Sequence, residues 1–401
     1  MSIMEKLALA GGNPVREKKI YYGRQYIDQD DINAVTETLQ SNYITCGPRV
    51  KKLEESLAEY TGAKYAVGVS NGTAALHIAC IAAGIGPGDE VITTPLTFAA
   101  SANCAFYCGA KPVFADIEED TYNISPESIE NCITPATKAV VAVDYTGQSV
   151  KIDEIRDICD RHGLIFIEDA AHSIGTAYKG KKIGSLADMT TFSFHPVKSI
   201  TAGEGGAVMT NDKDLYDKLM LARTHGITHD SDFMREKEPE GAWYYEQVSL
   251  GYNYRITDFQ AALLTSQLSK LDSFKARRQE IVSGYNEAFA DVPEIIIQRE
   301  IPESDSCRHL YVIRLDPDKL TCSRREFFDA MSAENVQCQV HYIPVYWFPY
   351  YQDLGYEKGL CPIAEKVYSG IMSIPLYPGM VDKDVDDVIH AVKKVVENYK
   401  R

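Results

Sequence analysis

The sequence predicts an α/β fold, with a mainly parallel sheet in a large domain over residues 1–274 and a smaller C-terminal α+β domain over 275–401. Three observations lead there. Short apolar runs recur between Tyr65 and Thr210, most of them separated by helical segments. Continuous apolar runs joined by helical crossovers belong to parallel strands buried on both faces. Polar and glycine-containing turns collect just past several of these runs, and in such sheets ligands sit beyond the carboxyl ends of the strands. The length of 401 residues is enough for one large and one smaller domain, each with its own core.

Taken in order, residues up to about Lys19 read as an arm. Asp28 to Gln40 reads as a helix with Asp28 as its acidic cap, and Arg49 to Tyr60 as a second helix. The strands follow as Tyr65–Val69, Glu90–Thr93, Pro112–Ala115, Ala139–Asp144, Leu164–Glu168, Thr190–Phe194 and Ala207–Thr210. Leu215 to about Gly226 reads as helix, and the charged, aromatic-rich Thr228–Gln247 as an excursion. Thr257 to Glu280 reads as one long helix bridging to the second domain. That domain is expected to hold strands near His309–Leu315 and Gln337–Tyr342 and to end in a helix from Asp384. There is no internal repeat and no low-complexity tract.

Composition excludes several functions. Hydrophobic content of 45% and charged content of 24% are those of an ordinary globular protein. A net charge of −16 leaves no basic stripe to neutralise a nucleic-acid backbone, while a few local donors can still hold a small phosphorylated ligand. No apolar run reaches membrane-spanning length and the start lacks the apolar core of a signal peptide, so no membrane contact and a cytoplasmic location are expected. The ten cysteines are scattered without a Cys-x-x-Cys pair, so reduced thiols are expected, and no metal site. Asn71-Gly-Thr73 and Asn123-Ile-Ser125 match the glycosylation triplet by chance alone.

The chemistry concentrates in two places. Ile165-Phe-Ile-Glu-Asp169 is an apolar strand ending in two carboxylates. About 30 residues later, Ser193-Phe-His-Pro-Val-Lys198 leads from a strand into the glycine-rich Gly203-Glu-Gly-Gly206. A lysine amine that can condense with an aldehyde, and a carboxylate that keeps a ring nitrogen protonated, are what a pyridoxal phosphate site needs. A surface lysine and a helix-capping Asp169 are the plain alternative. Val69-Ser-Asn-Gly72-Thr73 runs from strand to helix through a glycine, where free amides and the helix dipole suit a phosphate. Phe98 stands where it could stack on a flat ring or pack into the core. His172 could lie beside that ring or satisfy a helix start, and Asn253 could donate to a phosphate or cap a loop. No Gly-x-Gly-x-x-Gly follows the first strand, which rules out a dinucleotide loop and leaves the Tyr60-x-x-x-Lys64 match to short-chain dehydrogenases without support.

Five segments occur in order: Ser-Asn-Gly-Thr-Ala (70–74), Glu-Asp-Ala-Ala-His (168–172), Ser-Phe-His-Pro-Val-Lys (193–198), Gly-Glu-Gly-Gly (203–206) and Gly-Tyr-Asn-Tyr-Arg (251–255). In this order and at this spacing they resemble the motifs of the DegT/StrS-type sugar-nucleotide aminotransferases, and the resemblance covers nearly the whole chain. The resemblance implies the aspartate-aminotransferase-like fold, pyridoxal phosphate fold type I, with pyridoxal 5'-phosphate as cofactor. It makes Lys198 the Schiff-base lysine and Asp169 the partner of the pyridinium nitrogen. Gly72, Thr73 and Ser193 would hold the phosphate, Phe98 would stack on the ring and His172 would lie beside it. Asn253 matches an asparagine that reaches the phosphate site of the neighbouring subunit, which implies a homodimer with shared sites. Relatives with histidine in place of the lysine are dehydratases, so Lys198 favours transamination. The segments Asn42–Gly47, Val143–Gly147 and Val340–Tyr346 are most similar to members of pseudaminic-acid-type pathways. They imply transfer from L-glutamate to C4 of a UDP-linked 4-keto-6-deoxy-2-acetamido sugar, with Tyr22, Tyr43, Thr45 and His341 near the substrate. Transfer to another nucleotide-linked keto sugar, a dehydratase, or a non-catalytic regulator on the same fold are the alternatives.

Overall fold

The computed structural model describes residues 5–237 and 241–401. The first four residues of the expected arm and 238–240 of the excursion lie outside the described residues. Seven strands build the central sheet: β1 (Tyr65–Val69), β2 (Glu90–Thr93), β3 (Lys111–Phe114), β4 (Thr137–Val143), β5 (Ile165–Asp169), β6 (Met189–Ser193) and β7 (Gly206–Thr210). Their spatial order is β1-β7-β6-β5-β4-β2-β3. The pairs from β6 across to β3 are parallel, whereas β7 runs antiparallel to both β1 and β6. The reversal has a local cause. β6 passes to β7 through a turn without a crossover helix, and a parallel return would need one.

The first four helices are α1 (Gln29–Leu39), α2 (Pro48–Thr61), α3 (Gly72–Ala82) and α4 (Ala100–Tyr107), and the last two lead to the site. Asp28 caps α1 by accepting from the Asp30 and Asp31 amides, and Asp31 reaches back to the Asp28 amide, a reciprocal cap. α3 is buried nearly all round, as its run of Ala, Leu, Ile and Cys dictates. Its cap is Asn71, whose Oδ1 accepts from the Ala74 amide at 2.8 Å.

The stretch expected as one helix from Thr257 to Glu280 is two, Asp258–Leu268 and Leu271–Phe289. The break falls at Ser269–Lys270, where the amides reach back to Thr265 and Gln267 and the Lys270 amine pairs with Asp28 and Asp31. Leu271 and Phe274 pack into the core of the large sheet, while Ile281, Tyr285 and Phe289 pack into a second core. That second core surrounds a three-stranded antiparallel sheet, β8 (Ile295–Ile297), β9 (Tyr311–Leu315) and β10 (Ile371–Ile374), with β9 in the middle. Leu7 and Ile20 of the arm are buried in it as well. The arm is tied down by the Glu334 carboxylate, which accepts from the Ala8 and Val15 amides and pairs with Lys394.

The strand expected over Gln337–Tyr342 does not form. Val336 and Gln339 make single bridges to Ile20 and Ser373, and the chain then turns His341 and Tyr342 inward ahead of Pro344. The closing helix runs Asp382–Tyr399. Among the described residues, no helix is long and apolar enough to cross a membrane.

Candidate active site

A cavity of about 900 Å³ opens at the carboxyl ends of β4, β5 and β6. Its floor is built by the strand ends, and one wall by the starts of α3 and α4. The opposite wall comes from Tyr22, His309, His341 and Tyr342.

Asp169 is the last residue of β5 and is buried. Ser101, in the first turn of α4, donates its hydroxyl to Asp169 Oδ2 at 2.7 Å, and the Ala171 amide donates to Oδ1 at 3.2 Å. Thr97 lies 2.8 Å from the Ser101 hydroxyl and completes the chain. Burial raises the Asp169 pKa, and the two hydrogen bonds and the nearby Lys198 oppose that rise. Lys198 sits in the turn between β6 and β7. The Phe194 carbonyl fixes this turn by accepting from the Ala202 amide and the Thr201 hydroxyl, both at 3.0 Å, and the Lys198 amide donates to His195. Burial lowers the Lys198 amine to about 8, with Asp169 opposing. A lysine near neutrality at mild pH is a nucleophile and a proton acceptor, which an ordinary surface lysine is not.

The start of α3 meets the end of β6 in close contact. A Cβ added at Gly72 would lie 2.8 Å from Ser193 Cβ, and one at Gly206 would lie 2.4 Å from the Asn71 carbonyl oxygen. Asn71 takes up the Ala74 and Ala75 amides, so those of Gly72 and Thr73 are left without a partner among the described residues. Two free amides at a helix start, with the Ser193 and Thr73 hydroxyls beside them, form an anion cradle.

His172 is buried and its Nε2 lies 3.0 Å from the Tyr342 hydroxyl, while its Nδ1 has no partner. Its ring centroid is 4.7 Å from that of His309. His341 Nδ1 lies 2.8 Å from the Ser373 hydroxyl, with the Tyr22 ring tilted against it at a centroid distance of 5.2 Å. Burial, with Lys198 adding to it, lowers all three imidazoles, His341 to about 3, so all are neutral at ordinary pH. Phe98 lines the cavity with 63% of its surface exposed, outside the core.

The cavity thus brings together Gly72, Thr73, Phe98, Asp169, His172, Ser193, Lys198, Tyr22 and His341. It does not include Tyr43, Thr45 or Asn253, which stand exposed elsewhere on this chain. Sequence reasoning missed Ser101, His309, Tyr342 and Asp144. Asp144 follows β4, accepts from Ser173 and Val150, and is raised by burial next to Asp169. Ser101 carried one readable signal, a hydroxyl one turn into the helix after Phe98. His309 carried another, a polar residue heading an apolar strand.

These features suit pyridoxal phosphate: unpaired amides for its phosphate, a buried carboxylate for its ring nitrogen, an amine of lowered pKa for its aldehyde. Fold and site together define a pyridoxal phosphate enzyme of aspartate-aminotransferase-like architecture, fold type I. Residues 25–393 match the DegT/DnrJ/EryC1/StrS aminotransferase family, and the chain belongs to it. It is 44% identical over 378 residues to the spore coat polysaccharide biosynthesis protein SpsC of Bacillus subtilis, covering 94% of this chain and 97% of that one. It is 40% identical over 385 residues to a UDP-4-amino-4,6-dideoxy-N-acetyl-beta-L-altrosamine transaminase of Campylobacter jejuni, covering 95% and 99%. The solved structure of Helicobacter pylori PseC, an aminotransferase in pseudaminic acid biosynthesis, superposes with a TM-score of 0.88 at 34% identity, covering 95% of this chain and all of that one. The protein is therefore a sugar aminotransferase whose cofactor is pyridoxal phosphate.

Proposed function

We propose that this enzyme moves the amino group of L-glutamate to C4 of a UDP-linked 4-keto-6-deoxy-2-acetamido sugar, in a pseudaminic-acid-type pathway. One observation carries the catalytic part: the Lys198 amine, lowered to about 8, faces the buried Asp169 in a single cavity at the strand ends. The substrate part is supported by the similarity to the Campylobacter transaminase and to PseC. A volume of about 900 Å³ is ample for a cofactor together with part of a nucleotide sugar.

Lys198 would hold the cofactor covalently, Asp169 its ring nitrogen, and Gly72, Thr73 and Ser193 its phosphate, with Phe98 and His172 against the ring. When bound, pyridoxal phosphate supplies an electron sink and a carrier for the amino group. The chain supplies the proton traffic. Lys198 Nζ, held within the cavity with a lowered pKa, would take a proton from the donor's Cα and give it back. Asp169 would face it, its carboxyl held by Ser101 and the Ala171 amide, whose hydrogen bonds oppose the rise that burial causes. Tyr22 and His341 would meet the sugar as neutral donors and acceptors. His341 is fixed by Ser373 in a single orientation.

The working unit we propose is a homodimer with shared sites, located in the cytoplasm. Among the described residues lining the cavity, Lys198 is the sole lysine or arginine. Glutamate, the cofactor phosphate and a nucleotide diphosphate all carry negative charge. A second copy would bring Asn253 and its neighbour Arg255 to the phosphate, and Tyr43 and Thr45 to the sugar. The same reading divides the chain within the helix Leu271–Phe289, close to residue 274, into a large cofactor domain and a small C-terminal one. The second reading is another nucleotide-linked keto sugar as acceptor, supported by the similarity to a protein of spore coat polysaccharide biosynthesis. Turnover of a panel of UDP- and dTDP-linked 3-keto and 4-keto sugars with glutamate, read by mass, separates the two. Amination of a 3-keto or dTDP-linked sugar in preference would refute the UDP-4-keto assignment and leave the transaminase standing.

A further inference from the structure

Between β2 and the first turn of α4 the chain brings three side chains to the cavity: Thr97, Phe98 and Ser101. Phe98 stands exposed in it, whereas Thr97 and Ser101 are only 3% and 1% exposed. The Ser101 amide donates to the Phe98 carbonyl at 3.2 Å, which holds the buried pair and the aromatic as one piece. The hydrogen bonds of the two hydroxyls have a fixed sense. Ser101 donates to Asp169 Oδ2 at 2.7 Å. A hydroxyl has one proton to give, so the 2.8 Å contact with Thr97 is Thr97 donating to the Ser101 oxygen. It is the one side-chain hydrogen bond that Thr97 makes among the described residues. The chain from Thr97 through Ser101 to Asp169 therefore points its dipoles at the carboxyl group, and each donor strengthens the next.

We propose that Ser101, backed by Thr97, is the positioning residue that holds the Asp169 carboxylate for the cofactor, and that these two hydroxyls set the preference of the site for a ring with a basic nitrogen. Such a role rests on Asp169 serving the ring nitrogen, which is part of the proposed function. The surroundings of Asp169 otherwise work against its charge. It is buried, and two further buried carboxyls, Asp144 and Glu168, lie within electrostatic reach of it. Burial raises its pKa, and Ser101 is the foremost group opposing that rise, ahead of the Ala171 amide and Lys198. A protonated ring nitrogen gains a charge-assisted hydrogen bond from a carboxylate, about twice as strong as the one that a neutral acid offers. Without Ser101, Asp169 keeps only the Ala171 amide of its two hydrogen bonds, at 3.2 Å. The neutral acid then gains ground, and the site loses what distinguishes a pyridine from a benzene ring.

The test uses the full-length enzyme freed of cofactor and two probes, pyridoxamine 5'-phosphate and its 1-deaza analogue, in which a C–H replaces the ring nitrogen. Neither carries an aldehyde, so neither bonds to Lys198, and both share the phosphate and the ring faces. The ratio of their dissociation constants therefore reads the ring nitrogen alone. The unmutated enzyme should prefer pyridoxamine phosphate by about tenfold or more. Ser101→Ala should weaken pyridoxamine phosphate about tenfold and the analogue by less than about twofold. Ser101→Thr keeps the hydroxyl and should keep the ratio, while Thr97→Val should lower it about threefold. An unchanged ratio in Ser101→Ala would overturn the proposal, and so would an equal loss for both probes, which is what a packing role gives. Equal binding of the two probes by the unmutated enzyme would instead remove Asp169 from the ring nitrogen, and the role of Ser101 with it.

Discussion

The two walls of the cavity are made differently. The wall on the strand ends carries the charge, with Asp169 and Lys198 held by short loops of the large sheet and by Ser101. The opposite wall is neutral, with His309, His341, Tyr342 and Tyr22 drawn from distant parts of the chain. Burial acts on both walls and its result depends on the partner. On the first wall Lys198 and Asp169 stabilise each other's charge against desolvation. On the second, each histidine has neutral neighbours and the Lys198 charge beyond, with Arg278 adding to it at His309, so desolvation and like charge together keep the imidazoles neutral. The first wall is suited to moving protons, the second to recognising a polar, uncharged sugar.

If that division is correct, substitutions on the charged wall should cost rate, and those on the neutral wall should cost affinity. The largest effect is expected for Lys198→Ala, which removes both the covalent anchor and the base. Turnover with glutamate should fall by more than about 10³-fold, while the protein still binds cofactor, seen as a changed visible spectrum. Activity like that of the unmutated enzyme would break the assignment. Asp169→Asn keeps the shape and removes the charge, so kcat should fall on the order of 10²–10³-fold with KM little changed. A fall of less than about tenfold would mean that another group serves the ring nitrogen.

Mixing the two inactive variants Lys198→Ala and Asn253→Ala under subunit exchange probes whether the charged wall is completed by a second copy. One intact site per mixed dimer should restore activity to roughly a quarter of that of the unmutated enzyme, a binomial expectation for random pairing and shared sites. No recovery despite mixing proven by mass would mean that each chain builds its own site.

On the neutral wall, His341→Ala should raise KM for the sugar nucleotide about tenfold and leave the glutamate-driven spectral change within about twofold. A matching loss in the glutamate step would show that the two walls are not separate in function. The smallest effect concerns pH. Lys198 is lowered to about 8, so it gains its free amine as pH rises through that value, earlier than an ordinary lysine at about 10.4. Borohydride trapping of pyridoxal phosphate on cofactor-free protein should therefore rise between about pH 7 and 9 and then level off. A rate still climbing past about pH 10 would place the Lys198 amine in water.

The charged wall was legible in the sequence because its parts are local. A strand end fixes Asp169 through the pattern of five residues, and a turn between two adjacent strands fixes Lys198 through the next dozen. The glycines at 72 and 206 were readable for the same reason, since close approach of backbone leaves room for no other residue. Helix starts such as Asp28 were legible because capping is a contact between near neighbours.

Tertiary structure decided the rest. The break at Ser269–Lys270 depends on Asp28 and Asp31, more than 200 residues earlier in the chain. The segment 337–342 has the composition of a strand, yet it yields its ladder to the inward turn that places His341 and Tyr342 in the cavity. Ser101 matters only because Asp169 lies 2.7 Å away, and His309 only because His172 packs against it. Local pattern determined where charge, glycine and strand ends fall, because those follow from backbone geometry over a few residues. Which distant side chains face that charge, and whether burial leaves them ionised or neutral, was set by packing alone, because desolvation depends on everything that surrounds a group in the folded chain.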